Sequence, residues 1–288
     1  MRSKVSLLWL IVISLAAIYS ASRADAASVW KVTAPAGGTI YLGGSVHALK
    51  ITDYPLPSAY NRAFDASTRL VFEVDRKALT DSSKGLEKAG EYPKGDSLKN
   101  HVDPRTYAYL RRLFGLMKVP QEKIDRFRPW FLALLLQAPS LQGMSEDLGV
   151  EGFLTRRAQA NNKPISGLET AREHMEIFSG LSDRQSEAML LLLFIPMDNA
   201  KGEGSQLLQA WRRGDADGET RTFTEGFRDF PSLGNRLLAA RNRNWIPKIE
   251  GYLRGGQTCF VVVGAAHMGG PNGILALLRG RGYKIEQL

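Results

Sequence analysis

The chain has 288 residues, 44% of them hydrophobic, enough to bury a sizeable core without cross-links. Cys259 is its single cysteine, which excludes an intramolecular disulfide and a cysteine-rich zinc site. The formal charge of +9 is diffuse, with pairs such as Arg111-Arg112, Arg156-Arg157 and Arg212-Arg213 interleaved with acids, and no nucleic-acid-binding module is expected.

Arg2 and Lys4 precede an apolar stretch from Val5 to Tyr19, and Ala24-Asp25-Ala26 then offers a small-x-small cleavage site before Ala27. This pattern predicts a secretory signal peptide over residues 1–26, because the apolar run is shorter than the roughly 20 residues a spanning helix needs. The expected product, residues 27–288, is exported, periplasmic or secreted, with no lasting membrane span.

Val29–Thr33 and Thr39–Gly43 read as two strands joined by Ala34-Pro35-Ala36-Gly37-Gly38. A helical turn is expected after Pro57, and Leu70–Val74 reads as a third strand. The Ser, Lys, Gly and Glu text from Thr80 to Ser97 has no clear period and is expected to be a mobile loop. From about residue 100 to 255 the chain is expected to be helical. Asp103-Pro104 opens that region with a capping carboxylate followed by proline, and Ser182 with Gln185 forms a later capping box. Pro164–Leu168 is a short strand within it. Phe260–Val263 and Tyr283–Gln287 are the closing strands. Strands at both ends around helical text predict an α/β fold: a central β-sheet completed by N- and C-terminal strands, with a large helical insert, in a single domain over residues 27–288.

Two apolar runs more than two hundred residues apart end in the same pattern, Gly-x-x-His: Gly44-Ser45-Val46-His47 and Gly264-Ala265-Ala266-His267. Each histidine is expected in a loop at a strand carboxyl end, where open α/β sheets place their ligand crevice. Glu73 lies inside an apolar strand, and a carboxylate buried without a partner costs several kcal/mol, so a cation, a metal or a donor is expected beside it. Two imidazoles and one carboxylate form a sensible first shell for a divalent ion such as Zn, Mn or Co, with His47, Glu73 and His267 as ligands. The competing reading makes Glu73 a structural carboxylate holding an arginine, Arg241 or Arg69. Glu169, just beyond a short strand, is a candidate second carboxylate or general base, and Arg241 a candidate for stabilising an oxyanion, on one helix with Asn242 and Trp245. His101 and His174 lie in polar text and are expected to face solvent. No Gly-x-Ser-x-Gly elbow, dinucleotide fingerprint or phosphate loop is present.

Together these segments resemble the TraB/PrgY/GumN family, whose relatives include the Tiki metalloproteases and, more distantly, the erythromycin-esterase-like hydrolases. The resemblance is carried by Trp30-Lys31-Val32, Thr39 through His47, Tyr54-Pro55-Leu56-Pro57, Leu70 through Asp75, Gly167-Leu168-Glu169-Thr170, Arg241-Asn242 with Trp245, and Val263 through Gly273. Ser45 stands where threonine is commoner and Glu151 where aspartate is frequent. The resemblance implies an α/β fold in which His47, Glu73 and His267 are metal-associated hydrolytic residues, with Arg241 a partner.

The expectation is an exported metal-dependent hydrolase, in particular a peptidase, acting on a peptide or other small substrate. The alternative is a non-catalytic envelope protein that binds haem, a peptide or a glycan in the same cleft, in polysaccharide biogenesis or signalling.

Overall fold

The carboxyl ends of four parallel strands define one edge of a six-stranded sheet in this computed structural model, which describes residues 26–137, 143–194 and 206–288. Apart from Ala26, the expected signal peptide lies outside the described residues. The strands are β1 (Val29–Thr33), β2 (Thr39–Ser45), β3 (Arg69–Val74), β4 (Ile165–Glu169), β5 (Cys259–Gly264) and β6 (Lys284–Gln287), arranged β4-β3-β5-β2-β1-β6. β5 pairs parallel with both β2 and β3, and β3 pairs parallel with β4. β1 runs antiparallel to β2 on one side and β6 on the other.

This order explains how distant sequence converges. Phe260, Val261, Val262 and Val263 are fully buried, as suits a β-branched strand covered on both faces. Inserted between β2 and β3, β5 places Val263 opposite Gly44 and Gly264 opposite Ser45, so the two Gly-x-x-His turns leave adjacent strands side by side.

The two faces of the sheet carry separate apolar clusters. Phe260 and Val262 pack with Tyr60, Phe64, Phe72 and Trp211 on one face; Val261 and Val263 pack with Val71, Trp245, Ile246 and Ile249 on the other. Each such side chain, fully buried, contributes about 1.5–3 kcal/mol. Alternation along β5 thus ties the Ser58–Asp65 helix to one face and the Ala240–Arg254 helix to the other.

A third cluster lies among the helices, where Trp130, Phe131, Leu98, Leu110 and Phe114 meet. It accounts for one correction. Thr80–Ser97, expected as a loop, begins within a helix Arg76–Asp81 and contains a second, Ser83–Gly90. Leu86, Tyr92 and Leu98 anchor this stretch in the third cluster, and isolated apolar residues spaced through polar text show no period that a sequence reading detects. The expected caps are present: the Asp103 side chain accepts from the Arg105 N–H ahead of Pro104–Leu116, and Ser182 and Gln185 form their box. Among the described residues, no helix is long and apolar enough to cross a membrane.

Candidate active site

Glu73, the fifth residue of β3, is buried at the carboxyl edge of the sheet. Its Oε1 accepts a hydrogen bond from the Gly264 N–H at 2.7 Å, and its Oε2 lies 2.5 Å from Nη2 of Arg241. Burial opposes ionisation, but the Arg241 guanidinium, the two neighbouring imidazoles and the Gly264 amide outweigh it and hold the carboxyl well below its ordinary range.

Arg241 reaches that carboxylate from the Ala240–Arg254 helix, just after a π-helical turn over Asn235–Ala239. Such turns insert a residue and re-aim the helix face beyond them. The guanidinium also meets Glu169 at the end of β4, at 2.6 Å and 3.3 Å to its two oxygens, and stacks over the Trp245 ring at 4.6 Å. The Trp245 Nε1–H donates to Glu169 Oε2 at 3.1 Å. One guanidinium therefore serves two buried carboxylates, which leaves the pocket floor with an excess of negative charge.

His267 closes a 3₁₀ turn directly after β5 and is buried. The Asn242 amide N–H groups donate to the carbonyls of His267 and Asn272 at 3.2 Å and 2.9 Å, which orients the amide oxygen toward His267 Nδ1, 2.6 Å away. An amide oxygen only accepts, so Nδ1 carries the proton and Nε2 keeps its lone pair. Nε2 lies 3.7 Å from Glu73 Oε1 and 3.3 Å from Nη1 of Arg241. Burial pushes the imidazole down to about 3; Glu73 opposes that shift and Arg241 reinforces it, so the ring is neutral at physiological pH.

His47 stands on the solvent side of the same volume, its side chain 67% exposed. Its Nδ1 lies 2.7 Å from Glu151 Oε1, which also accepts from Ser45 Oγ at 2.5 Å. Glu151 belongs to the helix Val150–Ala160, whose start is brought against the His47 loop by Gly149; a Cβ there would lie 2.0 Å from the His47 carbonyl oxygen. The Glu151 carboxylate raises the His47 imidazole to about 9, against the opposing effect of desolvation, and the open face of the ring screens that interaction.

Gly264 sits where these groups meet. A Cβ at that position would lie 3.2 Å from Glu73 Oε1, 3.4 Å from His47 Nε2 and 3.6 Å from His267 Cδ2. The expected residues His47, Glu73, Glu169, Arg241 and His267 thus stand at one edge of the sheet, with Asn242 and Trp245 beside them.

Two histidines differ from expectation. His174 does not face solvent: its Nδ1 lies 2.6 Å from Glu169 Oε1 with the side chain 19% exposed. The capping box of Thr170 and Glu173 starts this helix directly after β4, which sets His174 one turn on from Glu169, and that phase was available in the sequence. Glu73, Glu169 and His174 offer ligand atoms within 4.8 Å of one another and could hold a metal ion. In the structure the space between the two carboxylates is taken by Nη2 of Arg241. His101 is likewise enclosed, between Asp96 and Asp183 at 2.7 Å and 2.8 Å and stacked on Tyr92; Asp183, 82 residues on, closes the side that local sequence leaves open.

A mixed α/β sheet whose parallel strands bring two Gly-x-x-His turns to a buried glutamate and an arginine defines the class of protein. The chain belongs to the TraB/PrgY/gumN family, which it matches over residues 28–287. It is similar to the uncharacterized protein YbaP of Escherichia coli (strain K12), with 23% identity over 250 residues, 86% of this chain and 90% of that protein. It is also similar to an uncharacterized protein of Treponema pallidum (strain Nichols), with 22% identity over 275 residues, 88% of this chain and 80% of the relative. No solved structure gives a significant match.

Proposed function

We propose that this protein is an exported metal-dependent hydrolase of peptides or other small substrates, in which His47, Glu73 and His267 hold a divalent ion, Zn, Mn or Co. The observation that carries this reading is that both Gly-x-x-His imidazoles have Nδ1 tied to a side-chain acceptor, Glu151 or Asn242, with His47 Nε2 beside Gly264 and His267 Nε2 between Glu73 and Arg241. Histidines that bind metals show this arrangement, because the outer partner fixes both the tautomer and the ring plane. The donor set also fits in charge. Glu73 is anionic and His267 neutral, the excess negative charge of the floor favours a cation, and His47, raised to about 9 by Glu151, loses a proton on binding.

A divalent ion bound there would polarise a substrate carbonyl and lower the pKa of bound water toward neutrality. The chain supplies the rest. Arg241 fixes the Glu73 carboxylate, and its guanidinium is the cation beside the pocket that would stabilise negative charge on a substrate oxygen. Both oxygens of Glu169 are engaged, by His174, Arg241 and Trp245, so Glu169 holds the arginine in place while His174 links the group to the rim. His47, exposed and oriented by Glu151, meets incoming substrate and gives up its Nε2 proton when it ligates an ion. Export is supported by the N-terminal charge, apolar and small-residue pattern of residues 1–26.

Metal content of the mature protein, beside His47→Ala and His267→Ala, tests this together with a panel of peptides and esters. About one ion per chain in the wild type, lost in both variants, with chelator-sensitive cleavage, is expected. Equal, negligible metal in all three with no metal-stimulated cleavage would overturn it. One observation favours the non-catalytic alternative, in which haem, a peptide or a glycan binds without turnover: Arg241 already bridges Glu73 and Glu169. Ligand-induced stabilisation that survives chelator, without hydrolysis, would mark that version.

A further inference from the structure

Beneath the two Gly-x-x-His turns runs the helix Ala216–Glu225; two of its residues hold the second turn, and a third is bonded to Ser28, beside the first. Thr220 Oγ1 donates to the Ala266 carbonyl at 2.8 Å and accepts from the Gly269 N–H at 3.0 Å, and Asp217 accepts from the Gly270 N–H at 2.8 Å. Glu219 approaches the other turn through Ser28 alone: its Oε1 is bonded to Ser28 Oγ, and the Ser28 backbone carbonyl, one residue before β1, accepts from the Gly44 N–H at 2.7 Å. The Gly44 carbonyl in turn accepts from Tyr60 and from Trp211 Nε1, in the same enclosed polar knot.

Glu219 is the anomaly in this knot. It is 0% exposed, its Oε2 has no hydrogen-bond partner, and no Lys, Arg or His among the described residues pairs with it. The titratable groups that face it are Asp215, at the start of its own helix, and Tyr60, from the Ser58–Asp65 helix. Asp215 disfavours a carboxylate there by like charge, and Tyr60 is a neutral phenol that supplies no cation. An ionised carboxylate offers about four acceptor sites, and a single hydroxyl donor leaves it badly under-satisfied, whereas a neutral carboxylic acid tolerates the site. Burial, reinforced by Asp215, accordingly pushes Glu219 up to about 8.

We propose that Glu219 is a positioning residue that, in its neutral form, locks the two Gly-x-x-His turns together, and that its ionisation releases them. The inference rests on the proposed function only in treating those turns as the site, since the locking is read without metal or turnover. It makes the pocket sensitive to mild alkali through a group that never touches substrate. In the unfolded chain Glu219 titrates near 4.5, so the fold has this stability in full below that pH and loses it progressively as pH rises toward 8.

The test compares metal-free wild type, Glu219→Gln and Asp215→Asn from pH 6 to pH 9, following the melting temperature and the His267 ring signals by NMR. Glutamine keeps the shape and carries no charge at any pH; asparagine keeps the helix cap and removes the neighbouring charge. Relative to Glu219→Gln, the wild type is expected to lose on the order of 5 °C across this range, with a coincident shift of the His267 signals. Asp215→Asn is expected to move that transition to lower pH. Superimposable profiles for wild type and Glu219→Gln would overturn the proposal. If they differ as expected while no hydrolysis is ever found, the lock stands and the proposed function fails separately.

Discussion

His267 Nε2 and Glu73 Oε1 stand 3.7 Å apart, although Glu73 lies on β3 and His267 follows β5, far along the chain. Gly264 makes this possible twice over: its amide holds the Glu73 carboxylate, and its missing side chain leaves the space into which that carboxylate and both imidazoles face. The pocket is therefore a property of the β2-β5-β3 order as much as of the residues that line it.

Gly264→Ala probes that space directly. The added methyl group would lie 3.2 Å from Glu73 Oε1 and 3.4 Å from His47 Nε2, contacts that small adjustments accommodate at a cost of about 1–3 kcal/mol. The expected outcome is a folded protein whose affinity for Zn or Mn, measured by calorimetric titration, falls at least about tenfold, equivalent to ~1.4 kcal/mol.

Arg241→Met leaves Glu73 and Glu169 buried without their shared cation. Breaking a buried ion pair from one side costs about 3–5 kcal/mol, so urea unfolding at neutral pH is expected to show a loss of that size. The deficit should narrow as pH falls and the two carboxylates protonate.

Acid should destabilise the metal-free protein through the same groups. Glu73, Glu151 and Glu169 are all held below the 4.5 at which they titrate when unfolded, against the effect of burial, by Arg241 and by the histidines that face them. Their stabilisation is therefore present above that value and lost as pH falls through their native range. Stability measured against pH should drop steeply on the acid side, and Glu73→Gln should flatten that limb.

His101 gives the opposite sign. Both ring nitrogens contact carboxylates, which requires two N–H donors and hence an imidazolium, and the hydrogen bond to Asp183 is the largest influence raising it above 6.5. Its stabilisation is complete below that value and lost as pH rises through the raised native value. His101→Gln should be less stable than wild type at pH 6, and the gap should shrink toward pH 9.

The strands, caps and paired motifs were legible because each is written in local sequence: β-branched runs, a capping acid before proline, and Gly-x-x-His twice. The convergence of His47, Glu73 and His267 followed from strand-end logic. What stayed hidden depends on relations across space. Glu219 sits in an Asp-Gly-Glu run with no local sign of burial, and only tertiary packing encloses it. Arg241 was visible as a candidate, but its grip on both carboxylates depends on the π-helical turn before it, which no periodicity signals. His174 is set one turn beyond Glu169 by the Thr170–Glu173 capping box, a phase that the sequence carries but that its charged neighbourhood obscures.

X-ray absorption spectroscopy of the zinc- or manganese-loaded mature protein tests the central claim most directly. Two imidazole ligands with at least one carboxylate oxygen are expected, falling to one imidazole in either His47→Ala or His267→Ala. A metal shell without histidine, or one unchanged by both substitutions and abolished by His174→Ala, would contradict it.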